Sequence, residues 1–443
     1  MWNVACLSFI FLMTIPTFPQ AVSPIASAPV AGTNRMVVPP PVSVEPYRTD
    51  VGLEAKPNYL RGGISFGTSY IDNLYAGSGS SPLAEKIYSV SPTLDFEQTR
   101  STRHATVRYS PSFTFYQPTS ALNEINQDGS VGYQVRLTPH SEINLNDSIQ
   151  YRSTPFYIAA SGSDGAVSGA AQTVTPGVII PYAKNLNNVA NGEFTLQTGR
   201  SSMIGVSGSA TTLHFPDLVE TSGVYDSNSR SGSGFYSRRL SDTQYFGVLY
   251  IYAQTQAFPI NAESETRLQS VLAFYSIYPK ERLSLSASVG PQNYRVSQAP
   301  LLTAHSWAPS LAASIGWRGL HTSFAASYSQ TVTGGGGLAG AYHSRSAIAS
   351  AAWEMSRTWT AHVTASYAIN ENVTPHLVGA YSGGHGIFGT ATVGHSMGRQ
   401  FNFALEYSRL HLSYSDIPAI SSNPDSNRVA ASITWRFMRP LGQ

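Results

Sequence analysis

The sequence contains one cysteine, few charges and no long apolar run, and each shortage excludes a class of protein. Cys6 stands alone among 443 residues, which excludes a disulfide framework and a thiolate metal site. Charged residues make up 12% of the chain and the formal net charge is +2, so the sequence has neither a basic nucleic-acid footprint nor an acidic tail. No run of 18 or more apolar residues is present to cross a bilayer as a helix.

Aromatic residues, in contrast, are plentiful, with 25 Tyr and 19 Phe, and they follow a strand-like pattern. From Trp307 to Trp317 every second residue is apolar or small, and the residues between them are Ala, Ser or Gly. This period of two predicts a β-strand, and after a tight turn the same alternation resumes from Phe324 to Tyr328. Because the second face is too small and polar to form a core, the apolar face must contact something other than a packed protein interior.

Short turns that carry a basic residue or Pro recur about every 40 residues, which indicates an array of similar units. Each unit has two strands of about ten residues, one tight turn and one long polar loop, as transmembrane β-strands require. Pro92, Pro111, Pro291 and Pro309 lie within these strands; each removes a backbone donor and predicts a weak or bulged point. The turns lie at Arg100, Pro139, Arg200, Ser241, Pro279, Gly319, Arg357 and Arg399, and the one long interval contains the insertion Ser153–Gly192.

The predicted fold is therefore all-β, a single transmembrane antiparallel up-and-down β-barrel of about 18 strands (roughly 16–18). It spans residues 61–443, with short turns on the periplasmic side and long loops on the extracellular side. A β-propeller also repeats at about 40 residues, but its blades use four short strands around an apolar core. Two long strands per repeat favour the barrel.

The aromatic positions give a second indication of a membrane barrel. Several of these side chains fall within a few residues of the short turns or of the last strand, and we expect them to form a girdle at one membrane interface. The predicted girdle consists of Phe96, Tyr278, Trp317, Trp353, Trp359, Phe401 and Trp435.

The N-terminal region predicts export. Residues 1–28 have an apolar core from Val4 to Ile15 followed by small residues, and Ala26 and Ala28 together fit the small-residue spacing of a signal-peptide cleavage site. Residues 29–60 are rich in Pro and predict an extended periplasmic linker. A plug that reaches back into the barrel is the alternative for this segment.

The last strand, RVAASITWRF, resembles the C-terminal strand of bacterial outer-membrane β-barrels. The resemblance to porin-like barrels extends over about Leu60–Phe437 and is architectural. It implies an outer-membrane location in a Gram-negative-type bacterium, with outer-membrane lipid and the barrel-assembly machinery as partners, and with Trp435 and Phe437 as the assembly signal. In such barrels one long loop folds inward to narrow the pore, which implies that role for Ser153–Gly192.

Two motifs match catalytic or cofactor-binding patterns, but neither has the required context. Gly63–Gly67 matches G-x-S-x-G and Gly384–Gly389 matches a dinucleotide fingerprint, yet both lie in strand-like alternation and not at a strand-to-helix turn. The eleven histidines show no metal-ligand spacing. We therefore predict no enzyme, no catalytic, cofactor-binding or metal site, and no cofactor.

The remaining site is the lumen, because a closed barrel of about 16 to 18 strands is wide enough for an aqueous channel. Charges of both signs fall at inward positions, so strong anion or cation selectivity is not predicted. They either tune selectivity or pair across the wall and hold the shape of the barrel. The pore-facing candidates are Asp95, Glu97, Arg108, Arg136, Glu142, Arg152, Glu354, His362, Glu406 and Arg436.

Two neighbouring strands, Tyr245–Tyr252 and Leu272–Tyr278, are apolar on both faces, so part of each must point into the lumen. Packing of these residues is the favoured explanation, and an aromatic track for solutes is the alternative. From these features we predict a passive or weakly selective channel for small polar solutes, with no nucleic-acid partner. A non-transport barrel, either a surface adhesin or the membrane component of an export or secretion assembly, is the alternative. The sequence does not indicate an oligomeric state.

Overall fold

The computed structural model describes residues 58–74, 82–152, 184–216, 225–259, 263–280, 282–299, 301–334, 340–373, 383–398, 400–415 and 422–440. The predicted signal peptide, most of the Pro-rich linker and most of the long insertion lie outside these residues and stay predictions. The strands are β1 Tyr59–Ile71, β2 Glu85–Arg100, β3 Arg103–Gln117, β4 Glu124–Thr138, β5 Ser141–Arg152, β6 Asn185–Gln197, β7 Ser202–His214, β8 Ser227–Ser241, β9 Gln244–Ala257, β10 Glu263–Lys280, β11 Leu283–Ala299, β12 Leu301–Arg318, β13 Thr322–Gly334, β14 Ala341–Glu354, β15 Trp359–Asn372, β16 Gly383–Met397, β17 Phe401–Ser415 and β18 Ser422–Pro440.

These strands form one antiparallel sheet that closes on itself. Each strand pairs with the next along the chain, and β1 pairs with β2 on one edge and with β18 on the other. The β1–β18 register runs from Tyr59–Pro440 to Ile71–Arg428, so the closing seam covers the whole of β1. The prediction of an all-β, up-and-down barrel is confirmed, and the strand number is 18. Among the described residues, helical structure is limited to one 3-10 turn, Ser120–Leu122.

The alternation seen in the sequence becomes a difference between the two faces of the wall. On β12, Trp307 is 65% exposed and Trp317 is 44% exposed, whereas the intervening Ser310 and Ser314 are 8% and 9% exposed. Large apolar side chains thus cover the outside, and the backbone groups are satisfied between neighbouring strands. A closed barrel with this outer face is suited to hydrocarbon, as a membrane-spanning barrel requires. The described part of the chain has no helix that is long and apolar enough to cross a membrane.

Six of the seven predicted girdle residues face outward, and one assignment is wrong. Tyr278 is only 4% exposed and points into the lumen, where its ring meets that of Tyr245 edge-on at 5.9 Å. The error has a clear cause. Because β10 is apolar on both faces, the sequence at its aromatic end does not show which residues face the lumen and which face outward. The outward residues are Phe96, Trp317, Trp353, Trp359, Phe401 and Trp435. Their placement at a membrane interface stays a prediction.

The predicted insertion is shorter than the sequence indicated. Strand β6 begins at Asn185, so the last eight residues assigned to the loop Ser153–Gly192 belong to the wall and pair with β5. Residues such as Asn187, Asn188 and Asn191 resemble loop sequence, but in a barrel they occupy strand positions. The sequence missed this strand end because Asn is uncommon in strands of soluble proteins.

All four in-strand prolines coincide with interruptions of the hydrogen-bond ladder, as predicted. Between β2 and β3 the register breaks from Val90–Phe113 to Leu94–Tyr109, which spans Pro92 and Pro111. Between β10 and β11 it breaks next to Pro291. Between β12 and β13 it ends at Leu311–Gln330, just below Pro309.

The closing seam offers a direct test of the fold. Gly62 of β1 lies under the ring of Phe437 of β18, and a Cβ at this glycine would lie 2.3 Å from the ring. We expect Gly62→Val to destabilise the barrel by roughly 1–3 kcal/mol because the added methyl groups overpack the seam. Urea unfolding in lipid vesicles, followed by tryptophan fluorescence, measures this change.

The matched control is Gly208→Val, because a Cβ at Gly208 would meet its nearest atom at an ordinary 3.7 Å. Adding Phe437→Ala to Gly62→Val should recover part of the lost stability. Equal stability of the two valine variants would contradict the seam contact.

Candidate functional site: the lumen

The inner wall of the barrel has two arcs that differ in access to water. The first, which we call the open arc, consists of the inward faces of β4–β8, where most side chains are half-buried or exposed. Hydroxyl and carboxamide groups dominate it, and Ser207 is exposed although it points inward. Pairs of these hydroxyls bond across strands, as Ser207 does with Ser233 at 2.7 Å. The residues that line it include Ser130, Gln134, Asn144, Asn146, Thr195, Ser207, Ser209, Ser231 and Ser233.

The second, the closed arc, consists of the inward faces of β10–β14, which are largely shut off from solvent. Here the small side chains bond to each other: Ser286 to Ser314 at 2.6 Å and Ser329 to Ser346 at 2.8 Å. All four are less than 10% exposed. The water-filled part of the lumen therefore lies along the open arc.

A segment of the wall folds inward on the extracellular side and narrows the lumen. We call it the inner hairpin, and it consists of residues 331–334 and 340–343 at the facing ends of β13 and β14. The side chain of Gln292 on β11 accepts a bond from the Val332 amide at 2.7 Å and donates one to the Val332 carbonyl at 3.0 Å. The amide of Gly340 donates to Ser264 Oγ of β10 at 3.0 Å.

The inner hairpin also reaches β9, since a Cβ at Gly334 would lie 2.6 Å from Cβ of Thr255. Its apolar side chains, Val332 and Ala341, form a cluster with Leu268 and Val296 of the wall. The resemblance to porin-like barrels implied an inward fold for the long insertion, which lies mostly outside the described residues. The inner hairpin was not anticipated, because its contacts join residues about 40 to 76 positions apart.

All ten predicted pore-facing residues lie at inward positions. Among them, Arg108 and Asp95 form an ion pair at 3.4 Å between neighbouring strands. Glu97 pairs at 3.1 Å with Arg61, and Glu406 at 3.7 Å with Arg428. These contacts support the structural alternative for the lumen charges, in which they pair within the wall.

The other predicted charges also have polar neighbours. Gln134 donates to Glu142 at 2.6 Å, and Glu354 lies 3.7 Å from His321. Arg152 donates to Gln150 beside it. Arg136 faces inward opposite Glu142, and His362 and Arg436 share the inward parity of their strands.

The structure places further charges at inward positions that the sequence did not predict, among them Arg61, Glu193 and Arg428. Each lies on the same face of its strand as small or polar inward residues. Following the alternation of the two faces outward from the centre of each strand would therefore have included them. Arg61 and Glu193 were missed because they lie near strand ends or within the region assigned to the loop. Their presence makes the paired network larger than the sequence indicated.

The two strands that are apolar on both faces pack against the lumen side of the wall. Tyr245 and Tyr278 form a buried cluster with Met203, and the half-buried Phe235 packs against it. Phe274 is 6% exposed and its ring lies over Gly247. Packing thus accounts for the buried part of these residues.

The two motifs with catalytic resemblance are parts of the wall. Ser65, within G-x-S-x-G, lies in the middle of β1 and accepts a bond from Thr434 at 3.0 Å. The glycine-rich segment Gly384–Gly389 lies within β16. The described residues contain no cluster of three or more His, Cys, Asp or Glu side chains suited to hold a metal ion.

Comparison with known proteins gives similarity of general form only. No family model and no curated protein matches the chain. Among solved structures, OccK2 (OpdF) of Pseudomonas aeruginosa has a TM-score of 0.42 at 10% identity, covering 87% of this chain and 100% of that chain. The outer membrane protein OpdK of the same organism has a TM-score of 0.43 at 10% identity, covering 86% and 99%. OccAB4 of Acinetobacter baumannii has a TM-score of 0.42 at 7% identity, covering 88% and 100%.

The buried ion pair in the lumen gives a second prediction. The Glu406 and Arg428 side chains are 6% and 12% exposed, and Ser408 also donates to Glu406 at 2.9 Å. Glu406→Gln removes the negative charge beside Arg428, so we expect a loss of about 3 kcal/mol in the free energy of unfolding. Urea titration in vesicles measures it.

The control is Glu371→Gln, since Glu371 pairs with Arg345 at 3.5 Å but both side chains are 41% or more exposed. An exposed pair contributes about 0.5 kcal/mol, so this variant should unfold almost like the parent protein. Equal losses in the two variants would refute a structural role for the buried pair.

Proposed function

We propose that the barrel is a passive channel for small polar solutes and that the solutes pass along the open arc. The observation that carries the proposal is the side-chain chemistry of β4–β8, where hydroxyl and carboxamide groups face a water-accessible space. Such groups exchange hydrogen bonds with water and with polar solutes at similar energy, so they allow passage without tight binding. No enzymatic activity is part of the proposal.

The paired charges support weak ion selectivity. Because Asp95 pairs with Arg108 and Glu97 with Arg61, their fields largely cancel at the distance of the open arc. Screening by salt at physiological ionic strength reduces the remainder over about 8 Å. We therefore propose a channel that discriminates mainly by size and by hydrogen bonding.

Cysteine substitution tests where the current flows. Ser207 faces the open arc, whereas its neighbour Val206 is 57% exposed on the outer face. Against a Cys6→Ser background, Ser207→Cys should react with a charged methanethiosulfonate reagent, and the conductance of single channels in planar bilayers should fall stepwise. The added charged group narrows the passage and repels ions of its own sign.

Two controls separate the open arc from the rest of the wall. Val206→Cys should not react, because a charged reagent does not enter hydrocarbon. Ser286→Cys should not react either, because Ser286 points inward but is only 6% exposed in the closed arc. A protein that is folded but shows no conductance, or equal modification at all three sites, would refute the proposed passage.

A further inference from the structure

Within the described residues, the wall is incomplete on the extracellular side between β12 and β13. The ladder joining these strands runs from Arg318–Ser323 up to Leu311–Gln330. Above it, β12 stays paired with β11 as far as Leu301, with one register shift after Thr303, whereas β13 leaves the wall as part of the inner hairpin. Within the described residues of both strands, the upper edge of β12 thus has no ladder partner in β13. We call this opening the lateral cleft.

Solvent exposure supports a real opening. Most inward residues of β10–β14 are buried, but on the upper part of β12 the inward Ser306 is exposed and the inward Ala304 and Ala308 are half-buried. The outward Trp307 beside them is 65% exposed. Indole rings favour the membrane–water interface, which places the cleft at the level of the outer leaflet.

Apolar side chains lie directly behind the cleft. The cluster of Leu268, Val296, Val332 and Ala341 is there, and Ala253, Tyr294 and Ala308 pack against it. Because Ala308 belongs to the upper part of β12, the cleft and the cluster are in contact.

The cluster continues down the lumen as an apolar stripe on β8–β10. Ala253 is opposite Leu268 in the register, Leu249 is opposite Leu272, and Phe235 is opposite Leu249. Phe235, Leu249, Ile251 and Ala253 are half-buried, so they remain accessible from the lumen. The stripe ends near the periplasmic turns at the cluster of Met203, Tyr245 and Tyr278.

We propose that the lateral cleft and this stripe form a second route, which takes an apolar or single-chain amphipathic small molecule from the outer leaflet into the lumen. The occupant follows from the lining, in which apolar side chains recur from the cleft to the periplasmic end and which meets the bilayer at Trp307. A molecule on this route meets apolar side chains at successive points, which lowers the cost of leaving the bilayer. The inference does not rest on the polar passage, which lies on β4–β8 and shares only β8 with the stripe.

The proposed route passes the inner hairpin, so fixing the hairpin in place should block the route. Val332 lies with Leu268 and Val296 behind β12, so a molecule that enters by the cleft must displace it. Gly334→Cys with Thr255→Cys should tether the hairpin to β9 after a shift of about 1 Å, since disulfide-linked Cβ atoms lie roughly 3.5–4.5 Å apart. The control pair is Ser286→Cys with Ser314→Cys, which tethers strands that are already paired.

The experiment uses the full chain with Cys6→Ser, refolded into vesicles that contain hexadecanol carrying a mid-chain diazirine. After photolysis, labelled residues are mapped by mass spectrometry, and conductance is measured on the same preparations. We expect labels on Leu249, Ile251 or Phe235 as well as on Trp307. Oxidation of the tethered variant should abolish the stripe labels, reduction should restore them, and the control pair should leave them unchanged.

A second variant keeps the test decisive if the tether prevents folding. Ile251→Asn places a polar group on the stripe, and stripe labelling should fall about tenfold while the conductance stays unchanged. Labels confined to outward residues such as Trp307, stripe labels that persist in the oxidised tether, or full labelling of the Ile251→Asn variant would each overturn the proposal. Loss of conductance with intact stripe labelling would instead refute the polar channel alone.

Discussion

Hydrocarbon offers no partner for a backbone N–H or C=O, and the rest of this structure depends on that constraint. Each strand must find a neighbour on both edges, so β1 closes the sheet against β18 along its whole length. Where the ring departs from this rule, side chains replace the missing strand. Gln292 bonds both the amide and the carbonyl of Val332, and Ser264 accepts from Gly340, so the inner hairpin leaves the wall with part of its backbone satisfied.

The same constraint leaves the inner face free to vary, and the two arcs show how it does. Serine satisfies its hydroxyl with another serine, as Ser286 and Ser314 do, and fills little space. On the closed arc this allows the inner hairpin to approach the wall and exclude water. On the open arc, hydroxyls such as Ser207 remain accessible, and the charges nearby are held in pairs. A single residue type thus serves packing in one half and passage in the other.

The strands, their number and their two faces could be predicted from the sequence. In a membrane strand, successive side chains face lipid and lumen in turn, so the sequence alternates with a period of two. The alternation is absent where both faces of a strand are apolar, which is why Tyr278 was assigned to the wrong face. It fails also where polar residues occupy a strand, as at Asn187 and Asn191 of β6. The inner hairpin was beyond reach for a different reason: Val332 and Gln292 are brought together only by the curvature of the closed barrel.

The prolines show how the loss of one backbone hydrogen-bond donor can lead to an opening between two strands. At Pro92 and Pro111 a few ladder bonds are missing, but the hydroxyls of Ser91 and Ser112 bond across the gap at 2.7 Å and the ladder resumes. At Pro309 the ladder does not resume, although the loss of one donor is the same. The difference lies in the alternative partners, because the end of β13 finds a side-chain acceptor and donor in Gln292 on the inner face of β11, two strands away. A proline therefore sets where the wall can part, and the side chains on the inner face of the nearby strands decide whether it does.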